Sequence, residues 1–372
     1  MAITIYSRTF KKELDIVQLE SQFLSNCLLD YKDFRDFVAV DAECPICNVS
    51  GAHIVSDGYS TKTNKKVRQA HFSFRKPDGT DAHKVFCDHY KGNDKKIDSS
   101  GDGFIKLGAS GSEVTKVIRE LVCRGIEHHT FNQEDIRNMR QWFTELRQSG
   151  TFTVDYSPHL INLVRASFYS VKGEKVYTLD EERKSKPWFN INDEVYNSLR
   201  YKYPSLIIDV EDINNNIFLK LRSNTFTKKV HRLVQRDRGY NVYDRRLLHD
   251  KYQSTISLAI SITSHHKLLL RKFGSATSVM LNNPLLAVSA LLLFVSDWDN
   301  NIAYEKFLML CKAGKSTIPD AGNVIGMNPF IHYDAWRLIH RLKDLMESMP
   351  DFSDLDEYFD KEKERLTALY KI

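Results

Sequence analysis

The sequence places Cys44-Pro-Ile-Cys47 ahead of His71, His83, Cys87 and His89, and the fold must satisfy whatever those side chains hold. Two thiolates two residues apart on a tight turn grip one face of a metal ion. A second pair of Cys or His ligands from a later turn completes a tetrahedron suited to zinc. Cys44, Cys47 and Cys87 supply three ligands, and either His83 or His89 the fourth. Cys87-Asp-His89 is the nearest pair in sequence, although one intervening residue is unusual for a zinc knuckle, and His71 competes for the same place. Ordinary buried thiols beside surface histidines are the bland alternative, and so dense a cluster argues against them. A redox Cys-x-x-Cys finds no thioredoxin-like βαβ pattern around it.

The other cysteines (27, 123 and 311) are scattered through 372 residues, which does not suit a disulfide framework. That length admits two or three domains at roughly 100–200 residues each. Nine Pro and 16 Gly exclude a long linker-type chain. The longest apolar run, Pro284 to Val295, falls short of the roughly 20 residues a membrane span needs and reads as a buried core helix. The N-terminus, Met-Ala-Ile-Thr-Ile-Tyr-Ser-Arg, lacks the apolar stretch and cleavage site of a signal peptide. A cytoplasmic protein with no membrane partner is expected.

No internal repeat is present. The pattern predicts an α+β chain, a small strand-rich zinc-binding N-terminal module followed by a mainly α-helical body. Its regions are 1–105 (zinc module), 106–204 (mixed) and 205–372 (mainly helical). Ser110 with Glu113 forms a capping box, and Val114, Val117, Ile118, Leu121 and Val122 repeat at helical spacing. A second helix starts at Asn132, runs through Ile136, Met139, Phe143 and Leu146, and stops at Gly150. The connection from Arg124 to Phe131 is longer than a helix-turn-helix turn, so this pair reads as core packing. Hairpins are expected over 166–179, about Lys172-Gly173, and over 205–221, about Asn214-Asn215-Asn216.

Net charge is only +5, but it is unevenly spread. Between the two metal-binding halves lie Lys62, Lys65, Lys66, Arg68, Arg75, Lys76 and Lys84. There Val67 to Arg75 alternates as one strand, with Ala70, Phe72 and Phe74 on one face and His71 on the other. From Lys220 to Lys272 thirteen basic residues face three acidic ones, 13 − 3 = +10. Within it Phe226, Val230, Leu233 and Val234 form an apolar helical stripe, with Lys228, Lys229, Arg232 and Arg236 largely opposite. Arg245 and Arg246 extend the patch, and Tyr240 and Tyr243 add stacking surfaces. Such a helix suits phosphate backbones. Its bland counterpart is a solvated face paired with the acidic C-terminal stretch.

Several motifs fall short. Ala313-Gly-Lys-Ser-Thr317 has Met309 where a phosphate-binding loop needs its first glycine. Arg124 to His129 has the Arg-x4-His spacing of HEPN ribonucleases, a short spacing that chance supplies. Asp209 followed by Lys220 outlines a PD-(D/E)xK site, with Phe218 where its acid should stand.

Cys44-Pro-Ile-Cys47, Gln69-Ala-His71-Phe72 and Asp81-Ala-His83-Lys84 together resemble the N-terminal metal-binding region of the CoiA competence-protein family. That likeness covers about fifty residues, has Phe74 in place of a second family histidine, and implies nuclease-like DNA processing. The same segment also resembles HNH nucleases. By that likeness His71 would be the general base and His83 or His89 a catalytic-metal ligand, with magnesium or manganese. Cys87-Asp-His89 stands where that family has a second Cys-x-x-Cys.

The reading that results is a zinc-stabilised nucleic-acid-binding protein of bacterial or mobile-element origin, with DNA favoured over RNA. A metal-dependent nuclease and a protein-interaction scaffold are its alternatives. No protein partner is named by the sequence.

Overall fold

The computed structural model describes residues 4–26, 30–61, 63, 65–84, 87, 89–90, 112–168, 177–202, 217–237, 239, 241–273, 275, 279–280, 283–317, 329–330, 332–348 and 354–371. The fold is α+β, with small antiparallel sheets in the N-terminal region and a helical body. The chain divides into two compact units, each interrupted once. One comprises Met1–Ser149 and Leu247–Ile331, the other Gly150–Arg246 and His332–Ile372.

The first unit opens with β1 (Thr4–Ser7) and β2 (Lys12–Asp15), a hairpin with Ile5 opposite Leu14. Asp15 and Gln18 form a reciprocal capping box at the start of α1 (Ile16–Ser25). Helix α2 (Phe34–Asp41) feeds β3 (Ala42–Glu43), which pairs with β1. Then β4 (Ala52–Val55) pairs with β7 (His71–Phe74), and β5 (Gly58–Tyr59) with β6 (Lys66–Arg68). Buried Ile5, Leu19, Phe37, Val38, Phe72 and Phe74 share one core with Cys44, Cys47 and Cys87.

The single strand expected over 67–75 is two strands. The Ala70 N–H is taken by the Asp57 carboxylate, and the chain changes pairing partner there, so His71 and Phe72 are both buried.

Helices α3 (Glu113–Glu127) and α4 (Gln133–Ser149) follow the expected periodicity, burying Val114, Ile118, Leu121, Val122, Ile136, Met139 and Phe143. The cap of α3 is Ser112, whose side chain makes no capping bond; Ser110 lies outside the described residues. At α4, Asn132 and Asp135 cap each other's backbone N–H at 2.8 and 2.9 Å. Gly125 sits under the Phe131 ring, where a Cβ would lie 2.1 Å from Cζ.

The second unit follows with β8 (Thr151–Thr153), α5 (His159–Ser167), α6 (Glu181–Lys184), α7 (Ile191–Lys202), a 3-10 turn (Ile217–Arg222), α8 (Asn224–Asp237) and β9 (Asn241–Tyr243), the last paired with β8. Among the described residues neither expected hairpin shows a strand. Residues 166 and 167 end α5 and 217–221 form the 3-10 turn, while the hairpin centres lie outside the described residues.

Back in the first unit, α9 (His249–His265), α10 (Lys267–Lys272), α11 (Asn283–Phe294) and α12 (Asn300–Lys312) complete its body. Every residue of α11 from Leu285 to Leu293 is buried, which makes the apolar run a core helix. Among the described residues no helix is long and apolar enough to cross a membrane. Helices α13 (Tyr333–Ser348) and α14 (Leu355–Tyr370) close the second unit, whose core gathers Leu160, Val164, Val195, Val230, Leu233 and Ile339.

Candidate metal centre

The first half of the centre is a tight turn after β3. The Cys44 N–H donates to the Val49 carbonyl at 2.8 Å, and the Asn48 N–H donates to the Cys44 carbonyl at 3.1 Å. Closing that turn puts Asn48 at φ 59°, a left-handed conformation that asparagine tolerates better than most residues. The Asn48 side-chain oxygen accepts from Arg137 at 2.8 Å and Gln141 at 2.7 Å, which ties the turn to α4.

The second half follows β7. A turn over Lys76 to Thr80, with Gly79 at φ 81°, reverses the chain so that Arg75 bridges Asp81. The Asp81 carboxylate accepts the His83 N–H at 2.9 Å, and Phe74 meets the imidazole edge-on at 5.0 Å. The Cys87 N–H then donates to the Lys84 carbonyl at 2.9 Å, a further turn that aims the thiol back at His83.

Cys44, Cys47, His83 and Cys87 meet with all four donor atoms within 4.8 Å of one another. The Cys44 and Cys87 sulfurs are 3.8 Å apart, and His83 Nδ1 lies 3.4 Å from Cys47 Sγ and 3.6 Å from Cys87 Sγ. The three cysteines are buried, at 0%, 2% and 4% exposure for Cys44, Cys47 and Cys87. Burial pushes the Cys44 and Cys87 thiols well up, while hydrogen bonds from those two hold Cys47 well down. Three thiolates packed this closely would repel one another. A divalent cation stabilises all three at once, so this donor set could hold a metal ion.

The fourth donor is His83. His89 is buried nearby with its ring 5.5 Å from that of His83, and burial holds its imidazole well below the ordinary value. What it gives the centre is its backbone N–H, 3.5 Å from Cys87 Sγ. His71 is also outside the cluster, on β7, with Nδ1 3.0 Å from the Gln69 carbonyl. Among the described residues this is the one group of His, Cys, Asp and Glu close enough to hold a metal.

The basic residues are dispersed. Lys65, Arg75, Lys76 and Lys84 are exposed around the centre, and Lys66 and Arg68 lie on β6. On α8, Lys228 and Arg232 are exposed, Lys229 is half-buried, and Arg236 falls in the last turn. Arg245 departs from the expected surface patch. It is buried with its guanidinium 4.6 Å over the Tyr243 ring, an internal cation–π contact. Arg246 is exposed and paired with Asp244 at 2.9 Å. The +10 segment is split between the units after Arg246, and in the first unit Lys272 pairs with Glu113 at 2.8 Å.

The discarded motifs stay discarded where they are described. The Ser316 and Thr317 N–H groups donate to Glu120 and Glu127 at 2.8 and 3.0 Å, carboxylates in place of phosphate. Helix α3 ends before His129, which is left-handed, so Arg124 and His129 do not share a helix. Asp209 lies outside the described residues. No family model, curated protein or solved structure matches this chain.

Proposed function

We propose that the Cys44–Cys47–His83–Cys87 cluster is a structural zinc centre in a nucleic-acid-binding protein. The donor spacing carries the zinc assignment. Bonds of about 2.3 Å to sulfur and about 2.0–2.1 Å to nitrogen, at the tetrahedral angle, give S···S edges of about 3.8 Å and S···N edges of about 3.5 Å. In the cluster the Cys44–Cys87 edge is 3.8 Å, the two edges from His83 to Cys47 and Cys87 are 3.4 and 3.6 Å, and all donor atoms lie within 4.8 Å of one another. Four protein donors leave no position open for water or substrate, which fits a structural site and not a catalytic one. Zinc there would fix the Cys44–Val49 turn, the β4–β7 ladder and the His83–Cys87 turn as one body.

Nucleic acid is the partner that suits the cationic surfaces. Helix α8 buries Val230, Leu233 and Val234 and exposes Lys228 and Arg232, which is the disposition that lets a helix lie along phosphates. Exposed Lys65, Arg75 and Lys76 offer a second cationic surface.

Fluorescence anisotropy with labelled DNA and RNA over a salt series tests the reading. Affinity that falls steeply and linearly in log–log form supports it. Weak binding without a salt slope would move the reading to a protein-interaction scaffold. Cleavage that needs magnesium or manganese and is lost in His71→Ala would move it to a metal-dependent nuclease.

A further inference from the structure

The β4–β7 ladder beside the metal centre continues into an arm. Its pairing runs from Ala52 opposite Phe74 to Val55 opposite His71, and the chain then pairs again as β5 and β6, with Gly58 opposite Arg68 and Tyr59 opposite Lys66. Between the two ladders the Asp57 carboxylate takes the Ala70 N–H. The distal register shifts at Gly58–Tyr59, an irregularity of the kind that adds local twist. The Ser60 N–H donates to the Lys65 carbonyl at 2.9 Å and closes the ribbon.

The two ladders differ in what covers them. At the root Ala52, His71, Phe72 and Phe74 are buried, and Arg35 of α2 donates to the Ile54 carbonyl at 3.3 Å. In the arm Tyr59 is 56% exposed and Val67 69% exposed. Successive side chains of a strand point to opposite faces, so Val67 lies on the face away from Lys66 and its partner Tyr59. Each face of the arm therefore presents an apolar side chain to solvent. A two-stranded ribbon with no core on either face is marginal in water, and a partner that covers it would stabilise it. The charge of the segment indicates which partner. From Gly58 to Ala70 the sequence has four basic residues and no acidic one, and Lys65, beside the closing bond, is exposed.

We propose that the β5–β6 arm enters the major groove of duplex DNA, an inference that rests on the nucleic-acid reading above. That groove is about 12 Å wide and admits a two-stranded ribbon, whereas the major groove of duplex RNA is too narrow to be read. Tyr59 and Val67 meet the base edges, where the thymine methyl is an apolar partner, and Lys65 meets phosphate. The root, packed into the core that also holds Cys44, Cys47 and Cys87, sets the direction of the arm.

The test is fluorescence anisotropy of the zinc-loaded full chain with four labelled probes of one sequence. They are duplex DNA, duplex RNA, single-stranded DNA, and duplex DNA carrying glucosylated hydroxymethylcytosine, whose sugars fill the major groove and leave the phosphates unchanged. Plain duplex DNA should bind about tenfold tighter than each of the others. Tyr59→Ser and Val67→Ser should each weaken duplex binding about tenfold. Melting temperature and zinc content should stay the same, because neither side chain belongs to the core. Lys65→Ala should lower the log–log salt slope by about 1. Equal affinity for plain and glucosylated duplexes, duplex RNA or single strands bound as tightly as duplex DNA, or unchanged affinity in both Tyr59→Ser and Val67→Ser would overturn the inference and leave the nucleic-acid reading standing. Failure to bind any of the four probes would overturn both.

Discussion

His83 Nδ1 lies 3.4 Å from Cys47 Sγ, bringing together residues 36 apart in the chain. The imidazole gets there because Asp81 holds its backbone N–H and Phe74 packs on its ring. His89 is closer in sequence to Cys87 and its backbone N–H lies 3.5 Å from that sulfur, yet the imidazole that joins the donor group is that of His83.

Metal stoichiometry should therefore distinguish the two histidines. Elemental analysis of protein purified without chelators should give one zinc per chain. Cys44→Ser and His83→Ala should lose it, and His89→Gln should keep it. Zinc retained in His83→Ala but lost in His89→Gln would reverse the assignment.

Acid should weaken the protein beyond the effect of metal release. Burial holds the imidazoles of His89 and His231 below the ordinary value of 6.5, so both fold neutral. As pH falls through 6.5 the unfolded chain takes up these protons before the folded one does. The unfolded state then binds more protons, and stability drops. This contribution is full above about pH 7 and is lost progressively below 6.5. Urea midpoints at pH 7.5 and 5.5 should show the loss, and His231→Gln should make it smaller. An unchanged pH dependence in that variant would show that His231 titrates alike in both states.

Much of this was legible in local sequence because local forces set it. The apolar periodicity of Val114 to Val122 and Ile136 to Phe143 specifies α3 and α4, and the uninterrupted apolar stretch specifies the buried α11. Cys44 and Cys47 are bound to one tight turn by their spacing. The fourth ligand was not legible in that way, because adjacency drew attention to Cys87-Asp-His89. The pair that forms is His83-x3-Cys87, and its sign is a spacing that lets successive turns return two donors to one point. The break at Ala70 rests on a single carboxylate, Asp57, thirteen residues away, and alternation alone cannot register it. Arg245 read as surface because charge counting cannot see Tyr243 beneath its guanidinium. The return of the chain to its first unit at Leu247 depends on long-range packing that no window of sequence contains.

Gly125 is required by Phe131 and not by its own backbone conformation. An added Cβ would lie 2.1 to 2.7 Å from three atoms of a ring that is itself buried. Gly125→Ala should destabilise the protein by about 1–3 kcal/mol through overpacking, despite alanine's better helix propensity. Phe131→Leu should cost stability alone but relieve the clash, so the double variant should lose less than the sum of the singles. Additive losses in urea denaturation would show that the ring simply moves aside.

Burial divides the arginines and lysines of the basic segment into two kinds, and salt dependence should tell them apart. Lys228 and Arg232 are exposed on the face of α8 opposite Val230 and Leu233, where they can displace counterions from a nucleic-acid backbone. Lys228→Ala and Arg232→Ala should each reduce the log–log salt slope by about 1 and weaken binding without regard to sequence. Both should leave the melting temperature nearly unchanged. Arg245 is 4% exposed and stacked on Tyr243, so it has no phosphate within reach of its charge. Arg245→Ala should keep the slope and lower the melting temperature, because it removes a packed cation–π contact from the interior. A lower slope in Arg245→Ala at unchanged stability would mean that this side chain reaches the ligand and that the second unit repacks on binding.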